Sequence, residues 1–297
     1  MSSKLLQAFT LALTAFLAAC SPIKVLNALT PSSTFTKTSA IAYGTDPRQQ
    51  LDIYRPAPAI AHAPVVVFFY GGSWNNGSKD DYGFVGEALA SRGIVVVIAD
   101  YRLYPQVRYP AFLQDGAQAV AWTYQHIADY GADPRQLYVM GHSSGAYNAS
   151  MLALDARWLN EVGLSPAIFK GWIGLAGPYD FLPIENRDVR PVFFFPDSPP
   201  ESQPINHVTA GAPPSLLIAS TDDDLVNPTR NTGGLAQKLR TAGVPVEAFY
   251  FDKTSHATLV ASLSRPLRWL APVLDRVTAF IQATGPAGSS ARQSPLK

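Results

Sequence analysis

Ser143 stands in Gly141-His142-Ser143-Ser144-Gly145, a Gly-x-Ser-x-Gly run. A short apolar stretch, Leu137-Tyr138-Val139-Met140, precedes it, and the helical run AYNASMLALDA follows. A serine at such a strand-to-helix turn lifts its hydroxyl above the sheet, and the flanking glycines permit the tight turn and close helix–strand packing. The helix start behind it offers free backbone N–H groups and the positive end of a dipole. The chemistry this predicts is nucleophilic attack by Ser143. The competing reading is a Gly-rich turn in which Ser143 only caps the helix. Because the five-residue pattern recurs by chance, the strand before it and the helix after it carry the argument.

A serine hydroxyl is a weak nucleophile and needs a base. The histidines are His62, His126, His142, His207 and His256. His142 lies inside the turn and points away from Ser143; His126 falls in a helical pattern and His62 precedes a strand. His207 sits in an irregular stretch and remains an alternative. His256 follows the strand-like VEAFYF in a short loop before the last helix, where a base can reach over the sheet edge. The acid that orients the base should lie between nucleophile and base for this order of parts. The apolar run SLLIAS ends in Thr221-Asp222-Asp223-Asp224-Leu225-Val226. Asp222, Asp223 and Asp224 are all candidates there, with Asp180 further off. Donors for a developing oxyanion are also required. The run VVVFFY leads into Tyr70-Gly71-Gly72-Ser73-Trp74, whose Gly-rich backbone can turn N–H groups toward a carbonyl oxygen, although Gly-Gly at a strand end is often only a turn.

The elements that must position these groups follow from hydrophobic periodicity. Strands are expected at 39–43, 50–55, 64–70, 94–99, 137–140, 168–175, 215–220 and 246–251, several of them continuous apolar runs that suit strands covered on both faces. Helices are expected at 80–91, 112–130, 146–156, 229–241 and 266–284. The alternation predicts one α/β domain with an eight-stranded, mostly parallel sheet flanked by helices. Residues 180–214 break the pattern: prolines recur through them, with Phe193-Phe194-Phe195 in the middle. A long aperiodic stretch of this kind is either a functional loop or lid, or a packed surface excursion.

Composition bounds the function classes. The chain has 297 residues, 47% hydrophobic and 15% charged, with net charge +1. The near-zero charge argues against a nucleic-acid partner. One cysteine leaves no intrachain disulfide framework and no Cys-based metal cage. No G-x-G-x-x-G follows a strand and no Walker-type lysine is present, so no nucleotide cofactor is expected, and no metal.

The motifs together resemble a serine carboxylesterase of the α/β-hydrolase superfamily, close to the hormone-sensitive-lipase-like and feruloyl-esterase-like (BD-FAE-like) branches. The pieces that carry the resemblance are YGGSW (70–74), DYRLYP (100–105), GADPRQLYVMGHSSGA (131–146), DDDLV (222–226) and SHA (255–257). The resemblance implies Ser143 as nucleophile, His256 as base and Asp223 as orienting acid, since Asp223 has the D-x-x-V spacing to Val226. It implies the backbone N–H groups of Gly72, Ser73 and Ser144 as oxyanion donors, with Gly71 shaping the loop. Tyr70 stands where relatives usually have His, and Ser73 where many have a third Gly; Tyr70 is therefore expected to alter the loop's hydrogen bonding. The implied substrate is a small-molecule ester, with amide or formamide hydrolysis by the same triad as an alternative. A non-catalytic surface-tethered binding module is a further one. Trp74, Tyr82, Tyr104 and Phe193–Phe195 could line an apolar mouth, but core packing explains aromatics equally well.

The N-terminus predicts an address. Lys4 precedes an apolar run over 5–19, too short for a membrane span of about 20 residues and suited to a signal-peptide core. Leu17-Ala18-Ala19-Cys20 resembles a bacterial lipobox, with cleavage after residue 19 and a lipid on Cys20. Ser21 rather than Asp follows, which by family analogy favours the outer membrane of a Gram-negative cell. The expected organisation is a signal at 1–19, a lipid-anchored tether at 20–37, a hydrolase domain at 38–284 and a disordered tail at 285–297. Membrane association is expected through that lipid alone.

Overall fold

The computed structural model describes residues 22–285. The signal, Cys20 and nearly all of the tail therefore lie outside the described residues. Eight strands form one sheet: β1 (Phe35–Ala42), β2 (Gln50–Pro56), β3 (Ala63–Phe69), β4 (Val95–Ala99), β5 (Ala132–His142), β6 (Phe169–Leu175), β7 (Ser215–Ser220) and β8 (Val246–Phe251). Their order is β1-β2-β4-β3-β5-β6-β7-β8. β1 and β2 pair antiparallel, as do β2 and β4, and every other pairing is parallel. Parallel strands need crossover connections, and the helices in those connections cover both faces. That explains the unbroken apolar runs: β4 is VVVIA, buried at every position, and Val65 through Phe69 of β3 are all fully buried.

The strand expectations hold in number, while several boundaries move. β5 extends back to Ala132 because Ala63 pairs with it across an irregular step before Val65 takes up Leu137. Asp133-Pro134, a good helix stop, thus lies inside a strand. The long helices break at their ends. Ala111–His126 closes in a 3₁₀ turn over Ile127–Tyr130, and a π turn over Thr229–Gly233 opens into the helix Gly234–Thr241. His256 starts a helix of its own, His256–Ala261, instead of lying in a loop.

One expectation is corrected, and for residues 180–214, where two readings stood open, the structure shows packing. Residues 20–37 are not a featureless tether: Pro22–Ala28 is a helix, and β1 begins at Phe35. Ile23 and Leu26, three apart on that helix, pack against the core. Asn27 fastens it, donating from Nδ2 to the Asp80 carbonyl at 2.8 Å and accepting the Phe84 amide at 3.1 Å. The Ser/Thr/Pro-rich surroundings concealed this short apolar spacing. Residues 180–214 are built of 3₁₀ turns (Arg190–Phe193, Pro200–Ser202 and Pro204–His207) and contribute to the core. Phe193 is fully buried in an aromatic cluster, edge-on to Trp74 at 4.8 Å and to Phe181 at 5.3 Å between ring centroids.

Phe193→Ala is expected to lower the unfolding free energy by about 3–5 kcal/mol, the usual cost of truncating a buried Phe. Urea unfolding followed by circular dichroism measures it, and a change below about 1 kcal/mol would mean that this stretch is not part of the core.

Candidate active site

The sequence-predicted residues converge at the C-terminal ends of the parallel strands. Gly71 to Trp74 follow β3, Ser143 follows β5, Asp223 follows β7, and His256 follows β8. Ser143 has φ 54° and ψ −124°, between the end of β5 and the helix Ser144–Leu154. A non-glycine residue at such φ is held there by its surroundings. The Ser143 amide donates to the Leu175 carbonyl on β6 at 2.9 Å, and its carbonyl accepts from Tyr147 at 3.1 Å. The flanking glycine is a matter of space: a Cβ on Gly145 would collide with the carbonyls of Phe69 and Tyr70.

Ser143 Oγ lies 2.8 Å from His256 Nε2, and His256 Nδ1 lies 2.7 Å from Asp223 Oδ2. Asp223 Oδ1 accepts the amides of Leu225 at 3.0 Å and Val226 at 2.9 Å, so both carboxylate oxygens are occupied. Burial pushes the Asp223 carboxyl up, but the His256 hydrogen bond and charge and the two amides outweigh it and leave it below the usual carboxylate value. A carboxylate held ionised beside Nδ1 fixes the tautomer that leaves Nε2 free to take a proton from Ser143.

The alternatives fall elsewhere. Asp222 and Asp224 are exposed on either side of buried Asp223. Asp180 grips Arg230 through two bonds of 3.1 and 2.9 Å. His126 contacts the Trp122 carbonyl at 2.8 Å, His207 the Glu201 carbonyl at 2.6 Å, and His62 is exposed ahead of β3.

The loop after β3 runs through successive positive φ values, 137° at Gly72, 52° at Ser73 and 57° at Trp74. Among the described residues, the amides of Gly72, Ser73 and Ser144 donate to no protein acceptor. Gly71 is pinned against Ser143: a Cβ there would stand 2.9 Å from Ser143 Cβ and 3.0 Å from His142 Nδ1. Tyr70 is fully buried beneath the loop. Its hydroxyl donates to Asp100 Oδ1 at 2.7 Å and accepts from Arg48 at 2.7 Å, while Tyr101 donates to its carbonyl at 2.8 Å. The DYRLYP residues Asp100 and Tyr101 thus support the loop, a task that sequence alone did not assign.

Ser143 and His256 open into a cleft of about 190 Å³. Trp74, Phe181, Ile184 and Val226 form apolar wall, and Ser73 and Ser144 line its floor beside the nucleophile. Of the aromatics expected at a mouth, Trp74 lines the cleft. Tyr82 and Phe193 are core instead, and Phe194 and Phe195 are exposed beneath Arg108 and Arg190. The wall residues between Phe181 and Val189, and the Asn231 that holds the chain just before them, were not expected from sequence. Asn231 Oδ1 accepts the amides of Tyr179 at 2.6 Å and Asp180 at 2.8 Å. The departure of 180–214 from periodicity was the one available signal. Among the described residues no cluster of His, Cys, Asp and Glu is arranged to hold a metal ion.

A family model described as BD-FAE matches residues 51–239, which hold β3 to β7, the Gly71–Trp74 loop, Ser143 and Asp223, while β1, β8 and His256 lie outside the match. The chain belongs to the BD-FAE family. It is 29% identical over 252 residues to a probable isoprenylcysteine alpha-carbonyl methylesterase of Arabidopsis thaliana, covering 77% of this chain and 52% of that protein. It is 30% identical over 219 residues to the esterase LipC of Mycobacterium tuberculosis, covering 67% and 54%. The chain thus spans about half the length of these curated relatives. Among solved structures it resembles a truncated carbohydrate esterase from gut microbiota, with TM-score 0.72 and 18% identity over 86% of this chain and 98% of the other. An esterase of Pyrobaculum calidifontis gives TM-score 0.70 and 23% identity over 87% and 88%. These likenesses show the fold, which is that of the α/β-hydrolases.

In this BD-FAE member, Gly71→Ala is expected to force the loop off Ser143, since the added methyl would meet Ser143 Cβ, the buried His142 ring and the His142 carbonyl oxygen together. Phosphonylation of Ser143 by a fluorophosphonate should slow by about 100-fold, the scale of a 1 Å misplacement. Labelling kinetics at wild-type rate would show that the loop tolerates the methyl group.

Proposed function

We propose that this chain is a serine carboxylesterase acting on small-molecule esters. The observation that carries the reading is the unbroken hydrogen-bonded line from Ser143 Oγ through His256 to Asp223, at 2.8 and 2.7 Å, opening into a cleft. Membership of the BD-FAE family and relatives named as methylesterase and esterase support it.

Ser143 Oγ attacks the ester carbonyl carbon while His256 Nε2 takes its proton. Asp223, ionised and buried, stabilises the resulting imidazolium. The carbonyl oxygen, now negative, is received by the amides of Gly72, Ser73 and Ser144. His256 then gives the proton to the departing alkoxide, and an alcohol leaves. Water, deprotonated by the same imidazole, attacks the acyl-enzyme; the acid departs and Ser143 regains its proton. A cleft of about 190 Å³ is smaller than the roughly 300–1,000 Å³ of pockets for drug-sized ligands, which favours short acyl groups.

With purified protein, Ser143→Ala should reduce hydrolysis of p-nitrophenyl acetate to background, on the order of 10⁶-fold below wild type. Wild-type rates should fall from acetate and butyrate to laurate. Turnover retained by the alanine variant would sink the reading.

Export as a lipoprotein, anchored through Cys20 in the outer membrane, is part of the same proposal and is supported by the lipobox-like 17–20 run. Cys20→Ser should move the protein from the membrane fraction to the soluble fraction on cell fractionation. An unchanged distribution would refute the anchor.

A further inference from the structure

The steps above give His142 no task, although it is the residue bonded directly to the nucleophile. Its ring is buried, 5.0 Å from the His256 ring between centroids and tilted by 46°. Nε2 lies 3.0 Å from the backbone carbonyl oxygen of His256. A carbonyl only accepts, so Nε2 carries the proton and Nδ1 is the bare nitrogen. Nδ1 has no hydrogen-bond partner among the described residues and faces Gly71, where a Cβ would stand 3.0 Å away. Burial, then the neighbouring His256, hold the His142 imidazole down at about 3. It therefore stays neutral throughout the range in which an esterase of this type works, and adds no charge to oppose the imidazolium at His256.

The connectivity gives the contact its meaning. His256 and Ser143 are joined twice: once through the reacting groups, and once through the chain bond from Ser143 to His142 and the hydrogen bond from His142 to the His256 carbonyl. A closed loop of bonds fixes a distance that a single contact leaves soft. The base segment has other ties: Ser220 Oγ donates to the Thr254 carbonyl, and Ser255 caps the helix through Thr258. These hold the segment to β7 and to itself, and among the described residues only the His142 bond ties it to the residue beside Ser143.

We infer that His142 is a positioning residue, whose hydrogen bond to the His256 carbonyl sets the base against Ser143 while its ring seats the Gly71–Trp74 loop. This rests on the Ser143–His256–Asp223 reading of the site. His142→Leu fills similar volume without a donor. His142→Gln places an amide N–H at the reach of imidazole Nε2, and His142→Asn falls short of it.

For all three, kcat and KM on p-nitrophenyl acetate and the fluorophosphonate labelling rate of Ser143 are measured beside wild type and Ser143→Ala. His142→Leu and His142→Asn should lose about 10- to 100-fold in kcat and in labelling rate, with KM within about twofold, and His142→Gln should recover most of the loss. Full kcat in His142→Leu, or equal losses in the Gln and Asn variants, would overturn the inference. If His142→Leu does not fold, the Gln and Asn pair decides. Turnover by Ser143→Ala would instead bring down the triad reading, and that result is separable from the others.

Discussion

A serine held at φ 54° sits in a region that costs a non-glycine residue on the order of 1–3 kcal/mol, and nothing local to the residue returns that energy. The compensation comes from the sheet and the helix on either side. β5 is paired on both edges, with β3 and β6, and every residue of the helix Ser144–Leu154 is buried. Displacing Ser143 toward a relaxed conformation would drag one of these out of register. Close approach then sets the rest: Gly145 lets the helix lie against the end of β3, and Gly71 lets the next loop lie against Ser143 itself. The site is thus assembled around a backbone point that cannot move.

The two buried carboxylates near that point show how the surroundings divide labour between like groups. Asp100 accepts from the Tyr70 hydroxyl and the Lys79 amide, yet burial dominates and its carboxyl stands above the usual value. Asp223 is also buried, but its hydrogen bond to His256 and two backbone amides reverse the balance. The difference lies in the partner. Arg48, 3.7 Å away, and Lys79 also lower the Asp100 carboxyl, but with no imidazole bonded to it burial prevails there. At Asp223 the bond to His256 at 2.7 Å tips the balance. The first arrangement braces a loop. The second keeps a base oriented.

Much of this was legible in the sequence because strand, sharp turn and helix leave strong local signatures. The GHSSG run between an apolar strand and a helical run placed Ser143, and the end of VEAFYF placed His256. Asp223 was less legible, since three adjacent acids are equivalent by composition. What distinguishes them is burial against His256, a tertiary fact. The wall that begins at Phe181 was not readable, because its entry is fixed by Asn231, which accepts the amides of Tyr179 and Asp180, and by Gln203, which accepts that of Phe181. The helix Pro22–Ala28 was missed for a similar reason. Its stability comes from Asn27 gripping residues more than fifty positions away, and short helices have little of their own.

Tyr70, at the position where the resemblance leads one to expect a histidine in relatives, is itself a buried neutral donor. Its ring stacks on Tyr101 at 4.9 Å and on Tyr82 at 5.6 Å, and its hydroxyl bridges Arg48 and Asp100. Burial raises the phenol well above its ordinary value, so it keeps its proton, and its donated bond, around neutrality. A histidine's ordinary value lies near neutrality, and burial at that place would press it downward as it does at His142. With Tyr70 the loop that carries the Gly72 and Ser73 amides hangs from a support without a titration in that range. Near neutrality His142 is already neutral and Asp223 already ionised, so neither changes charge beside Ser143 there.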